Sequence, residues 1–113
     1  MARFIGGNGN DNITGTESDD EINGGGGDDT LNGAGGDDII NGDAGDDTLF
    51  SGAGNDALFG GAGNDRMVQN GIGSQTYDGG EGTDTYEIDF SVFIRINSIR
   101  VVISGVKSGS LYI

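Results

Sequence analysis

Residues 60–68 read GGAGNDRMV, and this nonapeptide, repeated, decides the fold. It has four small places (Gly60, Gly61, Ala62, Gly63), a polar fifth (Asn64), an Asp sixth (Asp65) and a large apolar eighth (Met67). The phase holds without a gap from Gly6 to Val68, slips by one residue at Gln69, and resumes at Asn70 and Gly79. The sixth place reads Asp11, Asp20, Asp29, Asp38, Asp47, Asp56, Asp65, Gln75, Asp84, and the eighth reads Ile13, Ile22, Leu31, Ile40, Leu49, Leu58, Met67, Tyr77, Tyr86. Nine copies therefore fill residues 6–87, with residues 1–5 as a lead-in and 88–113 as a different kind of segment. This is a repeat protein.

Composition bounds the class. A chain of 113 residues makes one domain, and 23 of its 25 Gly lie between Gly6 and Gly82, so glycine belongs to the repeat. Such Gly and Asp content with a net charge of -14 would ordinarily read as disorder, but a solvated coil has no need of a strict phase. A period of nine without Pro excludes collagen. No Cys is present for disulfides or thiolate metal sites. No apolar run reaches membrane-spanning length, and no basic-then-apolar signal peptide opens the chain. Five basic residues against nineteen acids would repel nucleic acid.

Each repeat divides into a turn and a strand. Gly, Asn and Asp tolerate positive φ, so Gly24-Gly25-Gly26-Gly27 reads as a tight turn. The residues after it alternate polar, apolar, polar, as in Thr30-Leu31-Asn32 and Thr48-Leu49-Phe50, which is the period of a half-buried strand. One such unit cannot bury its own apolar side chain. Two units make an eighteen-residue coil with a strand on each side, and coils stack at about 4.8 Å so that the eighth-place residues meet inside. The fold predicted is all-β, a right-handed parallel β-roll.

Stacking aligns carboxylates. Repeat n lies over repeat n+2, so one column holds Asp11, Asp29, Asp47, Asp65 and Asp84 and the other Asp20, Asp38, Asp56 and Gln75. Carboxylates about 5 Å apart repel by roughly 1 kcal/mol per pair in water and several-fold more near a protein. Aligned anions need cations between them. Asp oxygens and carbonyls suit Ca²⁺, which takes about six to eight oxygens in irregular geometry, whereas zinc or copper would prefer the His or Cys that this chain lacks. Nine apolar side chains are a thin core for some eighty residues, so folding is expected to depend on metal.

The pattern GGxGxDxUx, with U large and apolar, resembles the RTX (repeats-in-toxin) family of haemolysin-type calcium-binding repeats in secreted bacterial proteins. The resemblance covers residues 6–87. It implies Ca²⁺ between turns two repeats apart, held by the sixth-place Asp11, Asp20, Asp29, Asp38, Asp47, Asp56, Asp65 and Asp84 and by turn carbonyls. Those carbonyls belong to Gly24, Gly25, Gly26, Gly27, Gly33, Ala34, Gly35, Gly36, Gly42, Asp43, Ala44, Gly45, Gly60, Gly61, Ala62 and Gly63. The best pairs are Asp11/Asp29, Asp29/Asp47, Asp47/Asp65, Asp65/Asp84, Asp20/Asp38 and Asp38/Asp56, giving about six ions, whose charge of about +12 would nearly neutralise the chain. Departures weaken particular sites. Gln75 lacks the carboxylate, the extra Gln69 bears on Asp65/Asp84, and Thr16, Glu17 and Ser18 replace the Gly run before Asp20. Asp43 and Ser51 are milder substitutions.

The resemblance further implies a type I-secreted, extracellular bacterial protein, with this module beside a catalytic or toxic domain of a longer parent. The chain itself offers no His, Cys or distinctively placed acid or Ser for catalysis, so it is read as no enzyme. The fifth-place acids Asp19, Asp28, Asp37 and Asp46 read as solvated surface. The alternative function is a calcium-dependent adhesive or ice-binding surface, but the outward rows Thr14, Asn32, Phe50, Val68 and Asn23, Asn41, Phe59, Asp78 begin suitably and then break. Phe50 and Phe59 face outward, where the tail or a second chain would cover them, with the tail preferred. The segment 88–113 has one acid (Asp89), three basic residues (Arg95, Arg100, Lys107) and β-rich runs, and reads as a β cap for the last coil.

Overall fold

The structure, a computed structural model, describes residues 1–88 and, beyond them, two strands at 101–103 and 109–112. Among the described residues twelve strands follow one another without a helix: β1 (Ala2–Ile5), β2 (Asn12–Thr14), β3 (Asp20–Asn23), β4 (Thr30–Asn32), β5 (Ile39–Asn41), β6 (Thr48–Phe50), β7 (Ala57–Phe59), β8 (Arg66–Gln69), β9 (Gln75–Asp78), β10 (Asp84–Ile88), β11 (Val101–Ile103) and β12 (Gly109–Tyr112). The odd strands form one six-stranded sheet in the order β1-β3-β5-β7-β9-β11, and the even strands form the other. All pairs are parallel. Alternate strands in alternate sheets are what an eighteen-residue coil requires, and the nine repeats wind about five turns of a β-solenoid.

Register stacks like on like. Ile22, Ile40, Leu58 and Tyr77 lie in one file, and Leu31, Leu49, Met67 and Tyr86 in the facing one. These eight side chains form the buried core. Tyr77 and Tyr86 meet edge to face, ring centroids 5.7 Å apart and planes at 74°. Ile13 is only partly buried because its strand, β2, stands at the edge of its sheet.

The roll begins earlier than Gly6. Residues 1–5, read above as a lead-in, contain β1, which pairs with β3 so that Phe4 lies against Ile22 and Ala2 against Asp20. Phe4 packs on the core from the place an eighth residue would take. At the other end β11 pairs with β9 and β12 with β10, which puts Ile103 in register with Tyr77 and Leu111 with Tyr86. The run 89–94 and Arg95, Arg100 and Lys107, read as parts of the cap, lie outside the described residues. So does any cover for Phe50, which is half-buried, and Phe59, which is exposed. Among the described residues no helix is long and apolar enough to cross a membrane.

The turns owe their shape to the second and fourth places of the repeat. Gly25 (φ 85) and Gly27 (φ 88) take left-handed backbone there, and Ala34 (φ 66) and Asp43 (φ 68) take it even without glycine. Alternating the hand of successive residues curls the chain tightly and turns its carbonyls toward the neighbouring coil.

Candidate metal centre

The two oxygens of each sixth-place carboxylate do different things. Oδ1 accepts a hydrogen bond from the backbone N–H of the sixth-place residue one coil earlier. Asp11 donates to Asp29 (2.7 Å), Asp20 to Asp38 (2.8 Å), Asp29 to Asp47 (2.8 Å), Asp38 to Asp56 (2.7 Å), Asp47 to Asp65 (2.9 Å) and Asp65 to Asp84 (2.9 Å). These are the six pairs that the stacking argument brings together, and the extra residue at Gln69 leaves Asp65/Asp84 like the rest. Oδ2 is another matter. In Asp29, Asp38, Asp47, Asp56, Asp65 and Asp84 it is buried with no hydrogen-bond partner.

Each rung thus contributes one unpartnered carboxylate oxygen, from its later member. Its surroundings are a cradle of backbone. A Cβ at Gly24 would come within 2.5 Å of Asp29 Oδ2 and 2.9 Å of the Gly42 carbonyl, and one at Gly42 within 2.5 Å of Asp47 Oδ2 and 2.7 Å of the Gly60 carbonyl. Gly33 and Gly60 stand in the same relation to Asp38 and Asp65. At these four turns a side chain would fill the room beside the carboxylate. An oxygen set of carboxylate plus carbonyl, with no proton to share, suits a hard cation. No group of three or more His, Cys, Asp or Glu side chains converges among the described residues, so carbonyls would supply much of any ligand set.

Electrostatics point the same way. Burial, reinforced by like charge in neighbouring turns, pushes Asp38 and Asp47 up to about 6, Asp65 to about 7 and Asp56 to about 8, against the amide bonds that favour ionisation. Burial raises Asp29 and Asp84 as well. Without a counter-charge these carboxyls resist ionisation. Asp20 differs: burial raises it, but bonds from the Thr16 amide and hydroxyl and the Ala2 amide outweigh that and hold it low. Thr16 Oγ1 donates toward both Asp20 oxygens, at 3.0 and 2.9 Å, so the irregular second turn supplies its own partner.

Gln75 keeps half of the pattern. Its Oε1 accepts from the Asp56 N–H at 2.8 Å, as Oδ1 does elsewhere, while its Nε2 donates to the Gly54 carbonyl at 2.9 Å.

The fifth-place residues form a second ladder that their reading as solvated surface missed. They are exposed, yet Asn10 Oδ1 accepts from the Asp28 N–H (2.7 Å), Asp19 from Asp37, Asp28 from Asp46 and Asp46 from Asn64 (each 2.8 Å). The ladder runs opposite to the sixth-place one, with the later residue donating. The signal was present: every residue at that place from Asn10 to Asn64 is Asn or Asp, which share an Oδ1. Tyr86 is the other residue not anticipated as part of a turn. Its buried hydroxyl has no partner and lies where a Cβ on Gly79 would come within 2.6 Å, beside Asp84 Oδ2. Burial pushes that hydroxyl up to about 12.

A family model for the RTX calcium-binding nonapeptide repeat (4 copies) matches residues 5–40 and again 33–67, which together span more than half of the chain. The chain belongs to that family, and its repeat region is a calcium-binding module. No curated protein and no solved structure matches the chain.

Proposed function

We propose that the chain is a folding switch worked by calcium: exportable while unfolded at cytosolic calcium, folded outside the cell where calcium is about millimolar. The observation that carries this reading is the set of six buried Oδ2 atoms without a partner, one for each rung from Asp11/Asp29 to Asp65/Asp84. About six ions at those rungs would neutralise them. Asp11, Asp20, Asp29, Asp38, Asp47, Asp56, Asp65 and Asp84 supply carboxylates, and the turn residues from Gly24 to Gly63 supply carbonyls. Secretion by a type I route, as part of or derived from a longer bacterial protein, fits the family and an unfolded cytosolic form.

The test is far-UV circular dichroism with excess chelator and then with added Ca²⁺. A coil-like spectrum should give way to β signal as the hydrodynamic radius shrinks. Mg²⁺ should substitute poorly, because it prefers tight octahedral geometry and retains its waters. Equal β content with and without calcium would sink the switch. An adhesive or ice-binding surface is the less favoured reading. Asn41 does donate to Asn23 at 2.9 Å along one outward file, but Ile5 and Phe59 flank that pair and break the row.

A further inference from the structure

Seven rungs join sixth-place residues one coil apart between Asp11 and Asp84, and six of them leave a buried oxygen without a partner. The seventh, Asp56–Gln75, does not. We propose that Gln75 is a built-in substitute for one cation: its amide closes this rung by hydrogen bonds, so the rung takes no metal and holds without it. This rests on reading the other six rungs as cation sites.

Geometry carries the inference. Gln75 is fully buried and keeps the backbone bond common to every rung, from the Asp56 N–H to Oε1. Its second terminal atom is nitrogen, and it donates to the carbonyl of Gly54, the fourth place of the earlier coil. In the other six rungs the second atom is an oxygen, which cannot bond a carbonyl without something positive between them. One atom thus turns a place that attracts a cation into one that supplies its own donor.

The neighbourhood agrees. Gln69, also fully buried, donates from Nε2 to the Gly73 carbonyl at 3.1 Å and accepts from Tyr77 Oη at 3.2 Å. Asn70 Oδ1 accepts from the Gly52 N–H at 2.8 Å. Three neutral amide side chains therefore hold the stretch 69–77, and Gln75 among them stands where the earlier coils have a carboxylate. Strand β11 pairs on the far side of this rung, Val101 in register with Gln75. The Gln75 rung is thus the clamp of the array: it needs no calcium of its own, and coils nearer the N-terminus open before it when calcium is withdrawn.

Equilibrium dialysis of the full chain against radioactive Ca²⁺ tests this with Gln75→Glu, which keeps the shape and exchanges the donor for an oxygen. The variant should bind one more Ca²⁺ per chain than the wild type and need more calcium to fold. A wild type that binds calcium and a variant with the same stoichiometry and midpoint overturn the proposal. A direct readout on the wild type covers a variant that does not fold: the Gln75 side-chain amide protons should exchange slowly with solvent in calcium. On stepwise chelation, the Asp56 and Thr76 amides should lose protection after those of Asp29 and Asp47. Fast exchange of the Gln75 amide, or simultaneous loss of protection, refutes the clamp. A wild type that folds without binding calcium overturns the reading of the six rungs, a result distinct from either.

Discussion

Asp47 and Asp65 are joined by a single hydrogen bond across one coil, from the Asp47 N–H to Asp65 Oδ1 at 2.9 Å, while Asp65 Oδ2 stays buried and unpartnered. Asp47 itself accepts from the Asp29 N–H, so it belongs to two rungs. Its loss removes a free oxygen and leaves a buried N–H without an acceptor, which costs about 1–3 kcal/mol before any metal is counted.

Asp47→Ala should therefore raise the calcium midpoint for folding several-fold. Asp20→Ala should raise it far less, because Thr16 already satisfies both Asp20 oxygens and Asp20 enters only one rung with a free Oδ2. Matched titrations followed by circular dichroism check the ranking, and equal effects would mean that the column assignment is wrong.

Acid should partly replace calcium. A carboxyl raised above its ordinary value of 3.8 penalises the metal-free fold at pH above the folded value, and the penalty lifts as pH falls through it. With Asp56 at about 8, Asp65 at about 7 and Asp38 and Asp47 at about 6, β signal in chelator should grow from pH 8.5 to 5. In the presence of calcium the sign reverses: protons compete for the same oxygens, and the calcium midpoint should rise on acidification. A flat chelator profile across that window would contradict the carboxyl assignments.

Glycines of the turn should differ sharply. Gly63 has φ 107, and a Cβ there would collide with the Gly45 carbonyl. Gly63→Ala should cost more than the roughly 1–2 kcal/mol of left-handed backbone and shift the calcium midpoint strongly upward. Gly7→Ala meets nothing within 4 Å and should be nearly silent in the same titration.

Removing residues 89–113 should leave a chain that stays largely disordered, or aggregates, at about millimolar calcium. Strands β9 and β10 would become open edges, and Tyr77 and Tyr86 would lose the coil in register above them. Size-exclusion chromatography with circular dichroism decides it. A truncated monomer folding at the full chain's midpoint would show that the segment is no cap.

Much of this was legible in the repeat. Phase alone places Leu31 beneath Leu49 and pairs Asp29 with Asp47, because a strand's side chains alternate and two nonapeptides close a coil. What a one-letter pattern cannot carry is that Oδ1 of a sixth-place carboxylate is bonded to the neighbouring coil while Oδ2 is left without a partner. Phe4 was hidden for another reason: Ala2 stands where an Asp would have flagged the repeat. Thr16 looked like a defect in a glycine turn, and only its hydroxyl position reveals it as a partner for Asp20.

Gln69 adds a residue to its coil, so the spacing along the rungs changes from 18 to 19, yet Asp84 Oδ1 still meets the Asp65 N–H at 2.9 Å and the Thr76 N–H still reaches the Asp56 carbonyl at 2.8 Å. Alignment is thus enforced by bonds between neighbouring coils and not by counting residues. The corner between β8 and β9, with Ile72 exposed at its lip, is where the roll takes up one extra residue without losing step. A foreign loop spliced into that corner would project outward while the rungs on either side stayed in step, since closing a longer loop costs little once its ends are held.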